Sequence, residues 1–273
     1  MKKIFLLVVT VALLASCSAY QDAIKSDDIG LKYAMADSLY KLGKYKKSLK
    51  LWEQIVPVYR GRPQAERVQY QFADTYYQLG DYPQSGYQFE RFVKSYPQST
   101  KREEAAFKAA ESYYQDSDRY YHDQGDTYKA LEKLNEFLSS YPESAYTDNA
   151  NTLVIELNDK LERKQLEIAK QYHKIAVSQF TYPAAIKALD NFILDNPGSK
   201  YREEAFYYKL DSAYKYAIGS VSRLVEERLR VAYDYNKAYN KYFPEGEYKE
   251  DVVAIQEDIE ARLRAYEQQN EAK

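Results

Sequence analysis

The residues of this chain that could do chemistry are of two kinds: scattered titratable groups, and an aromatic–acid–tyrosine triplet that recurs. His122, in the polar stretch QDSDRYYHDQGD, and His173 have no cysteine or second histidine at ligand spacing, which argues against a zinc site. Serine, histidine and aspartate are all present, yet no glycine-flanked serine elbow appears, and the nine glycines are too scattered for a phosphate-cradling loop. The pairs Glu103-Glu104 and Glu203-Glu204 offer adjacent carboxylates, but they open helical patterns after Pro97 and Pro197, where the helix N-terminal dipole favours them. No catalytic residue, metal or diffusible cofactor is expected, so the chain is not expected to be an enzyme. The triplets are Tyr33, Asp37, Tyr40; Tyr70, Asp74, Tyr77; Phe107, Glu111, Tyr114; and Tyr207, Asp211, Tyr214. Spacing of i, i+4, i+7 puts each on one helix face. The chemistry on offer is recognition: rings give rigid contact area at low entropic cost, and hydroxyls and carboxylates can bond a peptide backbone. The same residues at the same spacing can also serve the fold alone.

The elements that must position them are helical. Tyrosine is the outlier at 31 residues among 273, and the chain is otherwise rich in alanine, leucine, glutamate, lysine and glutamine. A formal net charge of −2, with acids and bases interspersed, leaves no basic stripe for nucleic acid. Residues 70–97, YQFADTYYQLGDYPQSGYQFERFVKSYP, form the cleanest unit: Phe72, Ala73, Tyr76 and Leu79 recur at helical spacing before Gly80, and Tyr82, Ser85, Phe89 and Phe92 after it. Gly80 suits the left-handed residue that closes the first helix, and Pro97 ends the second. Shifting the unit back 37 residues aligns Leu42-Gly43-Lys44-Tyr45 with Leu79-Gly80-Asp81-Tyr82 and Trp52 with Phe89. Shifting it forward finds Ala110 and Tyr113-Tyr114, then an insertion over 115–126. A fourth unit spans roughly 166–197 with an enlarged turn. A fifth begins at Ser199, where KYREEA echoes the TKREEA that follows Ser99, and a last helix starts near Tyr248. Such units resemble tetratricopeptide repeats, which implies an all-α, right-handed solenoid of about five helical hairpins plus a C-terminal helix, stabilised by adjacent interfaces. In those repeats the triplet face lines the groove where extended peptides lie. Tyr33, Asp37, Tyr40, Tyr70, Asp74, Tyr77, Phe107, Glu111 and Tyr114 are therefore candidate groove residues.

At the N-terminus Met1-Lys2-Lys3 precedes an apolar run over 4–14, the layout of a secretory signal and too short for a comfortable membrane span. Leu14-Ala15-Ser16-Cys17 resembles the lipobox of bacterial lipoproteins, and Cys17 is the single cysteine of the chain, which suits a lipid attachment point. Several acyl chains on one residue, at about 0.8 kcal/mol per buried methylene, anchor durably. Ser18 follows where aspartate would resemble an inner-membrane retention signal, so an outer-membrane anchor facing the periplasm is expected. The expected organisation is signal peptide 1–16, lipidated polar tether 17–27, repeat array 28–243 and capping helix 244–273.

Lipobox, repeats and the segments Tyr96-Pro97-Gln98-Ser99 and Tyr141-Pro142-Glu143-Ser144 resemble the BamD family of outer-membrane barrel-assembly lipoproteins, as does the helix over 153–172. The resemblance implies a scaffold that receives the aromatic-ended C-terminal signals of unfolded β-barrel proteins in its N-terminal repeats. It also implies docking on the periplasmic domains of BamA, alongside other barrel-assembly subunits, by the C-terminal repeats. By position Arg202 and Glu203, with Tyr207, Asp211 and Tyr214, are the implied docking residues. The competing expectation is a different periplasmic repeat lipoprotein that organises cell-envelope or peptidoglycan enzymes.

Overall fold

Gly80 closes its helix as its spacing predicts: it adopts φ 75° and ψ 13°, a conformation open to glycine at little cost, and the Asp81 side chain then accepts from the Gln84 amide at 3.4 Å. Gly43 turns the preceding hairpin in the same way at φ 69°. The computed structural model describes residues 19–271, and the secondary structure among them is entirely helical. The expected signal peptide 1–16 and lipidation site Cys17 lie outside the described residues. Helices α1 (Ile29–Lys41), α2 (Tyr45–Tyr59), α3 (Ala65–Leu79), α4 (Tyr82–Ser95), α5 (Arg102–Asp116) and α6 (Gly125–Ser140) form three hairpins. Then follow α7 (Thr147–Gln179), α8 (Tyr182–Asp195), α9 (Arg202–Ile218), α10 (Ser222–Tyr242) and α11 (Lys249–Glu271). The chain divides into two compact units, one ending at Leu157 and one beginning at Asn158. This is an all-α array of tetratricopeptide-type hairpins.

In each unit the core is shared between successive hairpins, as expected when one hairpin cannot bury its own apolar face. In the first unit Leu39, Trp52 and Ile55 pack with Val68 and Phe72 of the next hairpin. Ala73, Phe89 and Phe92 meet Ala105 and Ala109, and Phe107, Leu134 and Phe137 meet Ala150 and Leu157. Small residues set the approach: a Cβ on Gly86 would sit 3.1 Å from the Tyr113 ring, and the buried Ser48 hydroxyl donates to the Ala36 carbonyl at 2.8 Å. In the second unit Leu166 and Ala169 pack with Leu189 and Phe192, which continue to Leu210, Tyr239 and Val252. Val252 and Ile259 of α11 are fully buried against the last hairpin.

Two expectations need correction. The segment assigned to a polar tether, 17–27, is helical over 19–25, and Tyr20 and Ala23 are buried in the cluster around Trp52. Tyr20 and Ala23, three residues apart, share one face of this short helix and, with Ile24, pack on the first hairpin. The enlarged turn of the fourth unit is absent: α7 runs unbroken to Gln179, and Phe180 and Thr181 alone connect it to α8. Phe180 takes the left-handed position at φ 55° that glycine holds in the first two hairpins. The insertion after α5 is a loop stapled from within, since buried Gln124 donates through Nε2 to the carbonyls of Arg119, His122 and Asp123 at 2.9–3.1 Å.

Candidate functional site

The recurring triplets face one another across hairpin boundaries. The Tyr40 hydroxyl donates to the Asp74 carboxylate in a short bond, and the Tyr77 hydroxyl meets the Glu111 carboxylate, so that burial and this carboxylate together raise its pKa. Tyr114 donates in a short bond to Glu156, in the third turn of α7. Each tyrosine thus reaches an acid on the first helix of the following hairpin. Tyr33 closes the column at its N-terminal end, edge-on to Trp52 at 5.8 Å and beside Tyr59 at 5.7 Å. Phe107, the one triplet aromatic without a hydroxyl, is buried and stacks on Tyr146 at 4.9 Å.

Other side chains complete the ladder. Asp37 accepts from Lys41 at 2.6 Å, from Arg67 at 2.9 Å and from Gln71 at 2.8 Å. Burial alone would raise the Asp37 carboxyl, but these three partners outweigh it and hold it below the usual carboxylate range. Asp74 is only 2% exposed and is paired with Lys108, whose ammonium also lies 5.4 Å from the Tyr77 ring centre and 5.8 Å from that of Phe89. Tyr70 donates to Glu104 at 2.5 Å and packs edge-on against Phe89 and Phe92. Burial, reinforced by the carboxylate each hydroxyl meets, raises the pKa of Tyr40, Tyr70 and Tyr77 and pushes Tyr114 up to about 12. Bonds to charged acceptors contribute roughly 1.5–3 kcal/mol each. A ligand that took over these hydroxyls would have to match that.

The acid doublets are two-sided clips. Glu104 holds Tyr70 and Lys101 behind it, while Glu103 accepts from Ser144 at 2.5 Å in the loop ahead. In the second unit Glu204 pairs with Lys170 at 2.6 Å, and Glu203 accepts from the Tyr239 hydroxyl at 2.6 Å. The serines after Tyr96-Pro97 and Tyr141-Pro142 each bond an acid of the preceding hairpin: Ser144 donates to Glu103, and Ser99 donates to Glu66, both at 2.5 Å, while Ser99 also accepts from the Lys101 amide at 3.0 Å.

The implied docking residues are similarly occupied. Tyr207 stacks on Tyr248 with ring centres 4.3 Å apart, and Tyr214 donates to Asp258 at 2.8 Å. Asp211 is paired with Lys215 at 2.6 Å and lies 3.2 Å from the Nε2 atom of buried His173, whose Nδ1 is 2.8 Å from the Ser212 hydroxyl. Burial lowers the His173 pKa against the opposing pull of Asp211. Arg202 lies over the rings of Phe206 and Tyr242, and its buried Nε has no hydrogen-bond partner. His122 pairs with Asp118 at 2.5 Å in the exposed loop, and no group of three His, Cys, Asp or Glu among the described residues is placed to hold a metal.

Sequence reasoning missed Glu104, Lys108, Glu156, Asp258 and Tyr248 as partners, although a signal for some of them was present. Tyr40 to Asp74, Tyr70 to Glu104, Asp37 to Gln71 and Asp74 to Lys108 are all separated by 34 residues. Gly43 and Gly80 give a repeat of 37, so each pair steps one helical turn back in the next hairpin. That relation names Glu104 and Lys108; the pairs that cross irregular connections do not obey it.

Comparison with known proteins agrees at the level of family. A model of the YfiO family, described as outer membrane lipoprotein, matches residues 30–179, from the first hairpin through α7. No curated protein matches the chain. Among solved structures, the crystal structure of kinesin light chain nearly identical TPR-like repeats from Podosopora anserina aligns over 87% of this chain and 98% of its own, at 14% identity and a TM-score of 0.32. A computationally designed self-assembling cyclic homooligomer aligns over 97% and 96%, at 12% identity and a TM-score of 0.21. At such scores the fold assignment rests on the hairpin packing itself. No helix among the described residues is long and apolar enough to cross a membrane. The family match spans more than half of the sequence, and the chain belongs to the YfiO family of outer membrane lipoproteins.

Proposed function

We propose that this lipoprotein is a scaffold of the outer-membrane barrel-assembly machinery, held at the periplasmic face by a lipid on Cys17. In this reading the first three hairpins receive the C-terminal signals of unfolded β-barrel proteins, and the fifth docks on the periplasmic domains of BamA. The observation that carries the reading is the family match over 30–179, which contains all three triplets of the first unit. The ladder refines how a cargo segment would be held. Tyr33, Tyr40, Tyr70, Tyr77 and Tyr114 are half-buried, so part of each side chain remains at the surface while four of the hydroxyls are tied to acids. Grip would come from ring contact with aromatic and apolar cargo side chains. Tyrosine hydroxyls would contribute little.

The test is copurification of the tagged, lipidated protein from detergent-solubilised outer membranes. BamA and further barrel-assembly subunits are expected with it. Recovery of a cell-wall hydrolase without BamA would overturn the proposal in favour of an envelope-enzyme organiser.

A further inference from the structure

A cleft of about 420 Å³ opens in the first unit between α4, α5 and α6, floored by Ala106, Ala109 and Ala110 and walled by Phe137 and Tyr141. It lies on a different side of α5 from Glu111 and Tyr114. Its cause is visible in a sister site. Helices α4 and α5 begin at Tyr82 and Arg102, and α8 and α9 begin one hundred residues later at Tyr182 and Arg202. Phe206 therefore corresponds to Ala106. Tyr242, the residue before the C-cap Phe243, corresponds to Ser140, the residue before the C-cap Tyr141. In the second unit these aromatics fill the space: the Phe206 ring lies 5.5 Å from Tyr242 and 5.5 Å from Phe243, with the Arg202 guanidinium 5.3 Å above it. In the first unit alanine and serine leave the same place open, under the equivalent Arg102.

The charges at the open site are also specific. Lys133 is held between Glu90 and Glu136, both at 3.1 Å, and offsets one of these two carboxylates; with Arg102 and Lys94 added, cations still outnumber acids around the cleft. Arg102 lies 5.9 Å from the Tyr141 ring centre and, like exposed Lys94, makes no ion pair among the described residues. The position of Lys94 is held by Leu194 in the sister helix. Two unpaired cations therefore rim the cleft that lacks its ring. A guanidinium fork beside an ammonium favours carboxylate partners.

We propose that this cleft is a receptor site for an aromatic side chain of a partner polypeptide, with an adjacent acidic residue paired to Arg102 and Lys94. The ring takes the place that Phe206 and Tyr242 occupy in the second unit. The site is separate from the triplet column and does not depend on the cargo reading.

The experiment titrates the full chain with the peptide acetyl-Glu-Phe-Glu-amide and follows the methyl resonances of Ala109 and Ala110. Acetyl-Glu-Ala-Glu-amide and acetyl-Lys-Phe-Lys-amide serve as comparisons. Saturable shifts are expected with the first peptide up to about 10 mM, weakened roughly tenfold or more with either comparison. Ala106→Phe, which installs the sister residue, should abolish the shifts while helical content is retained. The pair Arg102→Gln and Lys94→Gln alters only exposed side chains and should weaken binding at least threefold, on the order of 0.7 kcal/mol. Absence of saturable shifts overturns the proposal, as does equal binding of the alanine or lysine peptide, or binding left undiminished by the charge-removing pair or by a folded Ala106→Phe protein.

Discussion

Tyr40 and Asp74 offer the sharpest perturbation of the inter-hairpin ladder. The Asp74 carboxylate is 2% exposed and is shared by the Tyr40 hydroxyl, the Lys108 ammonium and the Gln78 amide, the last at 3.4 Å. Tyr40→Phe keeps the ring and its edge contact with Tyr45 at 5.5 Å and removes only the hydroxyl. The loss expected is that of one hydrogen bond to a charged acceptor, about 1.5–3 kcal/mol. Asp74→Ala should cost more, about 3–5 kcal/mol, because it leaves the partly buried Lys108 without its counter-charge. The double variant then measures the pair: a coupling of about 1–2 kcal/mol is expected, because residues in one network are not additive. Urea unfolding of the unlipidated protein gives the totals. Amide hydrogen exchange across α1 and α3 locates the loss, which matters because repeat arrays can open locally. Tyr40→Phe within about 0.5 kcal/mol of the parent, with additive singles, would refute the ladder as a stabilising device.

Three further outcomes follow from the same contacts. Raising the pH should unfold the array through its tyrosines: Tyr114, Tyr207 and Tyr248 are each pushed up to about 12, chiefly by burial, from the ordinary tyrosine value of 10.0. A folded pKa above the unfolded one gives stability that is complete below pH 10 and is lost as the pH rises through 12. Tyrosinate absorbance followed beside circular dichroism checks this, and complete ionisation near pH 10 with helices intact would contradict it. His173, lowered from 6.5 by burial, should remain neutral below that pH, and its contribution should fade only as the pH drops further. Proton resonances of the imidazole rings report it directly, and protonation of His173 at or above pH 6.5 would be the contrary result. Gly80→Ala meets no atom within 4 Å of its new Cβ, so its cost should be the left-handed backbone alone, about 1–2 kcal/mol by denaturant midpoint. A neutral substitution would show that the turn can relax.

The hairpins were legible because their punctuation is local. Glycine at 43 and 80, proline at 97 and apolar residues at helical spacing state each start and stop within a few residues. The fourth hairpin hid its turn because Phe180 does the work of a glycine, and nothing in a phenylalanine announces φ 55°. The N-terminal helix was missed because Tyr20 and Ala23 gain their reason only when the Trp52 cluster is present to bury them. At the candidate site the triplets were legible as a face, since spacing fixes direction. Their partners were not, because a tyrosine that bonds a ligand and one that bonds the next repeat have the same local sequence. The alanine-floored cleft was invisible for a related reason: Ala106 becomes informative only beside Phe206, once both are known to hold equivalent places.

Controlled depletion of the protein followed by quantitative proteomics of the outer membrane tests the scaffold reading most directly. The account predicts that β-barrel proteins fall broadly and together, while other outer-membrane lipoproteins and the peptidoglycan composition hold steady. Barrel proteins maintained at parental levels through depletion, with altered peptidoglycan in their place, would contradict it.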